Sequence, residues 1–205
     1  MRTSDTTASV AHYERHARAF FNETVGVDMI PLYQRFLPLL PAGGAILDAG
    51  CGSGRDLRAF RALGYQVTGF DASPSLVALA SEHAGVPVYC LAFNDIPWRA
   101  QFDGIWACAS LLHVPRAELA SVLKRLATAL VSGGIVYASF KYGTAEHARD
   151  DRIFTDMDED LLADLLDESR LLAPVDVWTT ADRRPGREHE HWLNLLLRTI
   201  RDPVI

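Results

Sequence analysis

The stretch ILDAGCGSGRD, residues 46–56, decides the fold. A short apolar run, glycines at 50, 52 and 54, and then a string of helix formers describe a strand that turns sharply and feeds a helix. Glycine takes positive φ without a Cβ clash and lets the backbone approach a ligand, while the following helix presents N–H groups that have no partner within it. A dinucleotide corner would read G-x-G-x-x-G/A. Here the sixth position is Arg55, and the spacing is D-x-G-x-G-x-G from Asp48. A carboxylate at the strand end repels phosphate and suits an ammonium group.

The rest of the chain supplies the sheet around that corner. Two amphipathic helices, SVAHYERHARAFFNET and DMIPLYQRFLPLL, precede the first strand, the second ended by Pro38 and Pro41. GRDLRAFRALG is a helix closed by Gly64, YQVTGFD a strand, and SPSLVALASEHAG a helix with Ser73 as N-cap and Pro74 at its first position. VPVYCLAF, FDGIWACAS and SGGIVYASFKY are three further strands, the last two separated by a helix from about Pro115 to Val131. Strands separated by helices need right-handed crossovers and form a parallel sheet covered on both faces. Past Tyr142 the chain is rich in charge; Thr155 is placed to cap a helix whose buried face is LLADLLDES. LAPVDVWTT and HEHWLNLLLR then read as a closing antiparallel hairpin around the polar turn ADRRPGRE. The expected fold class is α/β, doubly wound: a seven-stranded, mostly parallel sheet with a C-terminal antiparallel hairpin.

Composition sets the remaining bounds. With 205 residues, 49% hydrophobic and 22% charged, the chain matches an ordinary globular protein able to bury one core. A net charge of -6 offers no broad footprint for a polyanion, so no nucleic-acid partner is expected. No apolar run nears the roughly 20 residues that span a bilayer, and no secretory apolar stretch opens the sequence, so no membrane and a cytoplasmic location are expected. Cys51, Cys90 and Cys108 lack metal or redox spacing and read as reduced thiols, the last two as small hydrophobes in apolar runs.

At the second strand's end, about 20 residues beyond the glycine turn, Asp71 can accept hydrogen bonds from both hydroxyls of a ribose. Together the two strand ends imply a ligand with a ribose, an amino group and no phosphate. At these residues the chain resembles the class I S-adenosylmethionine-dependent methyltransferases: ILDAGCGSG is similar to their first motif and GFDAS to their second. Asn94-Asp95 is similar to their adenine-contacting turn and CASLLHV to their substrate-facing motif, and the resemblance runs over about residues 28 to 200. The resemblance implies a Rossmann-like methyltransferase fold and S-adenosyl-L-methionine as cofactor. It places Asp48 and Gly50 near the amino-acid part, Gly52 and Gly54 beneath the ribose, and Asp71 on its hydroxyls, with Cys51, between two glycines, also among the cofactor-binding residues. Ala72, Asn94 and Asp95 would meet the adenine, and Ser110 with Leu111 the methyl-bearing end. The layout is similar to small tellurite-resistance-like and thiopurine-like enzymes.

Methyl transfer needs alignment of nucleophile, methyl and sulfur more than any dedicated catalytic residue, and none is assigned. His113 is placed either as a general base or as a histidine satisfied by backbone at the next helix start. Tyr13 and Phe20 either flank the methyl group or simply pack, and Lys141 and Tyr142 either steer an anionic or aromatic acceptor or lie in solvent. Asp56 reads as a helix-capping charge, and Arg183, Arg184 and Arg187 as a solvated hairpin tip. No N/D-P-P-aromatic loop, no cysteine after proline and no acidic strand-four ligands occur, which leaves a small-molecule acceptor without a metal. The expected organisation is one domain over residues 1–205, with residues 1–42 as helices able to cover the pocket. A nucleotide-dependent oxidoreductase and a non-catalytic cofactor-binding regulatory module are the alternatives. The sequence does not decide the acceptor atom or the oligomeric state.

Overall fold

A computed structural model of the protein describes residues 3–200. Two helices come first, α1 (Thr3–Thr24) and α2 (Ile30–Phe36), the latter running into a 3-10 turn at Leu37–Leu39. Then strands and helices alternate: β1 (Ala45–Ala49), α3 (Arg55–Ala62), β2 (Gln66–Asp71), α4 (Pro74–Ala84), β3 (Val88–Cys90), β4 (Phe102–Ala107), α5 (Arg116–Ala129) and β5 (Leu130–Lys141). The chain closes with β6 (Glu146–Arg149), β7 (Arg152–Thr155), α6 (Glu159–Ser169), β8 (Leu172–Ala181) and β9 (His191–Thr199).

Seven strands form one sheet in the order β3-β2-β1-β4-β5-β9-β8. The first five are mutually parallel, and β9 runs antiparallel between β5 and β8. The expected doubly wound sheet with its antiparallel close is therefore what the chain adopts. Because β1 is flanked by β2 on one side and β4 on the other, the connections diverge at its carboxyl end and leave a crevice there.

Strand periodicity divides the core between two faces. Ile46 and Trp106 face α2 and α3, where they pack with Phe36, Phe60 and Tyr137; Leu47 and Ile105 face α5, with Leu119, Leu123 and Leu126. The Trp106 and Tyr137 rings stack at 3.9 Å. Gly104 lies under this layer because a Cβ there would stand 2.7 Å from both the Phe36 ring and Leu40.

Three local readings are corrected. Residues 146–155 form a hairpin, β6–β7, on a turn where Asp150 and Asp151 hold φ of 50° and 62°. That backbone favours Asn, Asp and Gly, so the Asp-Asp pair is its sequence signal, masked by the surrounding charge. Thr155 accordingly lies in β7, and Asp158 caps α6, accepting from Leu161 N at 2.9 Å. Cys90, on the short edge strand β3, is exposed rather than packed. Ser73 caps α4 as expected, its Oγ accepting from Leu76 N at 3.3 Å.

The third glycine of the turn carries the packing of α3 on α4. Gly54 has φ of 72°, and a Cβ there would meet Ala80 backbone atoms at 2.9 Å. Gly54→Ala combines left-handed strain with a clash against main chain and should lower unfolding free energy by about 1–3 kcal/mol, measured by urea denaturation.

Candidate active site

The glycine turn is held by its own main chain. Gly50 N and Cys51 N both donate to Phe70 O at 2.9 Å, which ties the end of β1 to β2. Gly50 and Gly52 hold φ of 74° and 54°. A Cβ on Gly50 would meet Ser110 at 2.6 Å, and one on Gly52 would meet the Phe20 ring at 3.0 Å. Asp71 stands beside the turn, its Oδ2 accepting from Gly52 N and its Oδ1 from Ser73 N, each at 3.0 Å. Each oxygen accepts one of these bonds and retains further acceptor capacity.

Two adjoining cavities open on this turn. The smaller, about 120 Å³, is walled by Phe70, Asp71, Ala72, Asn94, Ser110 and Val122. The larger, about 430 Å³, extends from Cys51 and Ser53 toward Ser139, Lys141, Arg152, Phe154, Asp182 and Trp192. Tyr13, Phe20, Gly50, Gly52, Ala109 and His113 line both and so mark the junction. Ala109 holds φ of 51°, a left-handed position rare for alanine, and its N–H donates to Ser139 Oγ at 2.9 Å.

The roof over the junction is α1. Glu14 accepts from Ser73 Oγ at 2.7 Å, Ser75 N at 3.0 Å and Ser75 Oγ at 2.5 Å, which fastens α1 to the start of α4. On the other side, Ser9 Oγ accepts from Ile153 N at 3.0 Å, joining α1 to β7. At the centre Tyr13 Oη lies 2.7 Å from His113 Nε2, and His113 Nδ1 lies 2.7 Å from Ile153 O. A carbonyl only accepts, so Nδ1 carries the proton and Nε2 receives the Tyr13 hydroxyl hydrogen.

Of the residues singled out from sequence, Gly50, Gly52, Asp71, Ala72, Asn94, Ser110, Tyr13 and His113 line the smaller cavity, and Cys51 and Lys141 line the larger. Asn94 is tied to Glu118, donating to Oε2 at 2.9 Å. Five others are not on a wall. Asp48 is buried under the turn, with Oδ2 unpaired, and faces neither cavity; burial and the nearby Asp56 charge push its carboxyl up. Gly54 is spent on helix packing, Asp95 is exposed, and Leu111 is in the core. Tyr142 points outward, 46% exposed, donating to Glu159 at 3.0 Å.

The hairpin tip and Asp56 are corrected more substantially. Arg184 grips the buried Asp182 at 2.5 Å, Arg183 pairs with Asp28 at 3.1 Å, and both arginines with Arg187 line the larger cavity. The base of the tip therefore turns inward at Asp182 and Arg184, where Trp192 Nε1 also donates to Asp182 at 3.0 Å, while Arg183, Pro185, Gly186, Glu188 and His189 stay exposed as expected. Asp56 is not a cap: it accepts from the Tyr33 hydroxyl, from Arg55 at 2.7 and 2.8 Å and from Trp106 Nε1 at 2.8 Å. Burial opposes its charge, yet Arg55 and these donors hold it below the usual carboxylate range. Sequence spacing could not show this pocket, because its donors come from α2, α3 and β4.

Burial pulls the His113 imidazole down to about 4, with Arg152 nearby adding to the effect, so it is neutral near pH 7. Between pH 6.5 and 4 the unfolded chain takes up a proton that folded His113 refuses, so this contribution is complete above 6.5 and lost as pH falls through that window. In His113→Asn the loss of urea stability between pH 7 and pH 5 should be smaller than in the wild type.

Residues 46–134 match the family described as Methyltransferase domain. A ubiquinone biosynthesis O-methyltransferase of Nitrobacter winogradskyi is 38% identical over 103 residues, 48% of this chain and 39% of that protein. An 18S rRNA (guanine-N(7))-methyltransferase of Schizosaccharomyces pombe is 30% identical over 116 residues, 49% of this chain and 43% of that protein. The match thus spans less than half the length of these curated relatives. The solved structure of Burkholderia thailandensis 1,6-didemethyltoxoflavin-N1-methyltransferase, holding 1,6-didemethyltoxoflavin and S-adenosylhomocysteine, superposes with a TM-score of 0.76 at 22% identity, over 97% of this chain and 91% of that one. Residues 46–134 are thus similar to a methyltransferase domain, and the sheet built around them has the Rossmann-like fold that the superposed structure shares.

Proposed function

We propose that the protein transfers a methyl group from S-adenosylmethionine to a small-molecule acceptor by in-line displacement. One observation carries the reading: a glycine turn and a strand-end carboxylate, Asp71, open onto a cavity that continues directly into a second, polar one. The residues present fit the cofactor. Asp71 keeps acceptor capacity for ribose hydroxyls, Gly52 lets the Phe20 ring close on the turn, and Phe70, Ala72 and Leu76 give apolar contact to a base. When bound, S-adenosylmethionine supplies a methyl group on a positively charged sulfur. The chain's own work is to align the acceptor, worth roughly 7–11 kcal/mol when the geometry is right, and to keep water out.

Tyr13 and His113 sit where the two cavities meet. With its hydrogen directed to His113 Nε2, the Tyr13 oxygen presents lone pairs to an acceptor O–H, N–H or S–H, and the pair can take up a proton lost during attack. Residues 1–42 act as the cover of a single domain, with Phe20 closing over Gly52. The free thiols Cys51, Cys90 and Cys108 support a reducing, cytoplasmic setting. No helix among the described residues is long and apolar enough to cross a membrane.

Asp71→Ala should weaken S-adenosylhomocysteine binding by about 1–3 kcal/mol in calorimetry through lost hydrogen bonds; an unchanged affinity would remove Asp71 from the ribose. Tyr13→Phe should lower kcat about 10- to 100-fold for an acceptor that loses a proton, with KM little altered. A change in KM alone would reduce Tyr13 to packing.

A further inference from the structure

The larger cavity carries an excess of positive charge in a chain whose net charge is -6. Seven Arg and Lys side chains line it against four carboxylates. Several of these cations are neutralised one to one: Arg55 by Asp56, Arg184 by Asp182 and Arg183 by Asp28. The others share. Arg149 and Arg152 divide the single carboxylate of Asp150, at 3.7 and 3.4 Å, and Lys141 and Arg187 divide Glu190, the second at 4.0 Å. Each sharing leaves one positive charge without a counter-charge, and Glu23, which also lines the cavity, offsets one of the two, so one net positive charge remains. The buried Nε of Arg152, moreover, has no acceptor among the described residues.

The same cations lie beside aromatic faces. The Arg152 guanidinium is 5.2 Å from the Phe154 ring and 5.8 Å from that of Tyr13, and Lys141 Nζ is 5.0 Å over Trp192. Aromatic walls suit a flat ring, and an unsatisfied guanidinium N–H suits a carboxylate or similar oxyanion. Resting on the methyl-transfer reading, the charge count has a second consequence. S-adenosylmethionine has an ammonium, a sulfonium and one carboxylate, hence one net positive charge, which a cation-rich cavity of low dielectric disfavours unless the acceptor brings a negative one. We infer that the methyl acceptor is an aromatic anion, seated in the larger cavity with its charged group on Arg152 and its ring between Phe154 and Tyr13. The anion matches the positive charge that remains on the lining, and the Tyr13 oxygen is left facing the acceptor atom.

The test fractionates a bacterial small-molecule extract on an anion exchanger at pH 8 and incubates bound and flow-through pools with the full chain and methyl-labelled S-adenosylmethionine, alongside calorimetry with S-adenosylhomocysteine. Label should enter an aromatic compound of the bound pool. With that compound, Arg152→Gln should raise KM at least about tenfold while kcat holds within a few fold, and Arg152→Lys should recover part of the loss. Arg187→Gln, at the exposed tip, should raise KM in the same direction and guards against misfolding of the β7 variant. Label entering only flow-through compounds, or an Arg152→Gln that loses S-adenosylhomocysteine affinity with acceptor KM unchanged, would overturn the inference while methyl transfer stands. Absence of S-adenosylhomocysteine binding would overturn both.

Discussion

Everything at this site depends on a left-handed backbone at the end of β1. Gly50, Gly52 and Gly54 hold positive φ within five residues, and two successive N–H groups of the turn close on one carbonyl, Phe70 O. That geometry turns the chain from strand into α3 without obstructing the crevice. It also divides the labour of the three glycines. Gly50 admits Ser110, Gly52 admits the Phe20 ring, and Gly54 admits α4. Each is required by a different neighbour, so the motif is at once a piece of packing and a piece of the binding surface.

Beneath the turn, a buried carboxylate fixes the elements that meet there. Asp56 gathers donors from α2, α3 and β4, namely Tyr33, Arg55 and Trp106. A buried charge of this kind contributes little net stability, but removing a partner is costly, so it acts by enforcing one arrangement. Its charge also raises Asp48, buried close by, toward the neutral form. Of the two strand-end aspartates Asp71 meets the smaller cavity, and the ammonium-binding role drawn for Asp48 from the motif alone has no support in its position.

Above the turn, α1 is latched at two points, by Glu14 on Ser73 and Ser75 and by Ser9 on β7. Tyr13 lies between the latches and Phe20 beyond Glu14, and both line the junction of the two cavities. The β6–β7 hairpin and the tip between β8 and β9 complete the walls of the larger cavity and bring it most of its arginines. The parallel sheet provides the glycine-turn corner, while these added segments shape the space beside it, in keeping with the placement of functional residues on loops carried by a rigid scaffold.

The amino-acid sequence by itself determined the strand and helix alternation, the sheet with its antiparallel close, and the glycine turn with Asp71. These are written in local periods, in Gly54, Ser73 and Pro74, and in the short connection between β8 and β9, all of which act over a few residues. What only the tertiary structure decided is which long-range neighbours meet. The Tyr13–His113 contact spans 100 residues, Ser9–Ile153 144, and Arg183–Asp28 155. The same reason explains the errors. Asp56 and Asp48 carry the same carboxylate on neighbouring turns of chain, and only the elements folded around them separate a charged structural anchor from a buried, raised acid. The tip at Arg183, Arg184 and Arg187 reads as solvated because its composition is polar. Arg184 turns in to the buried Asp182 and Arg183 reaches Asp28 between α1 and α2, a long-range partner that no local pattern encodes.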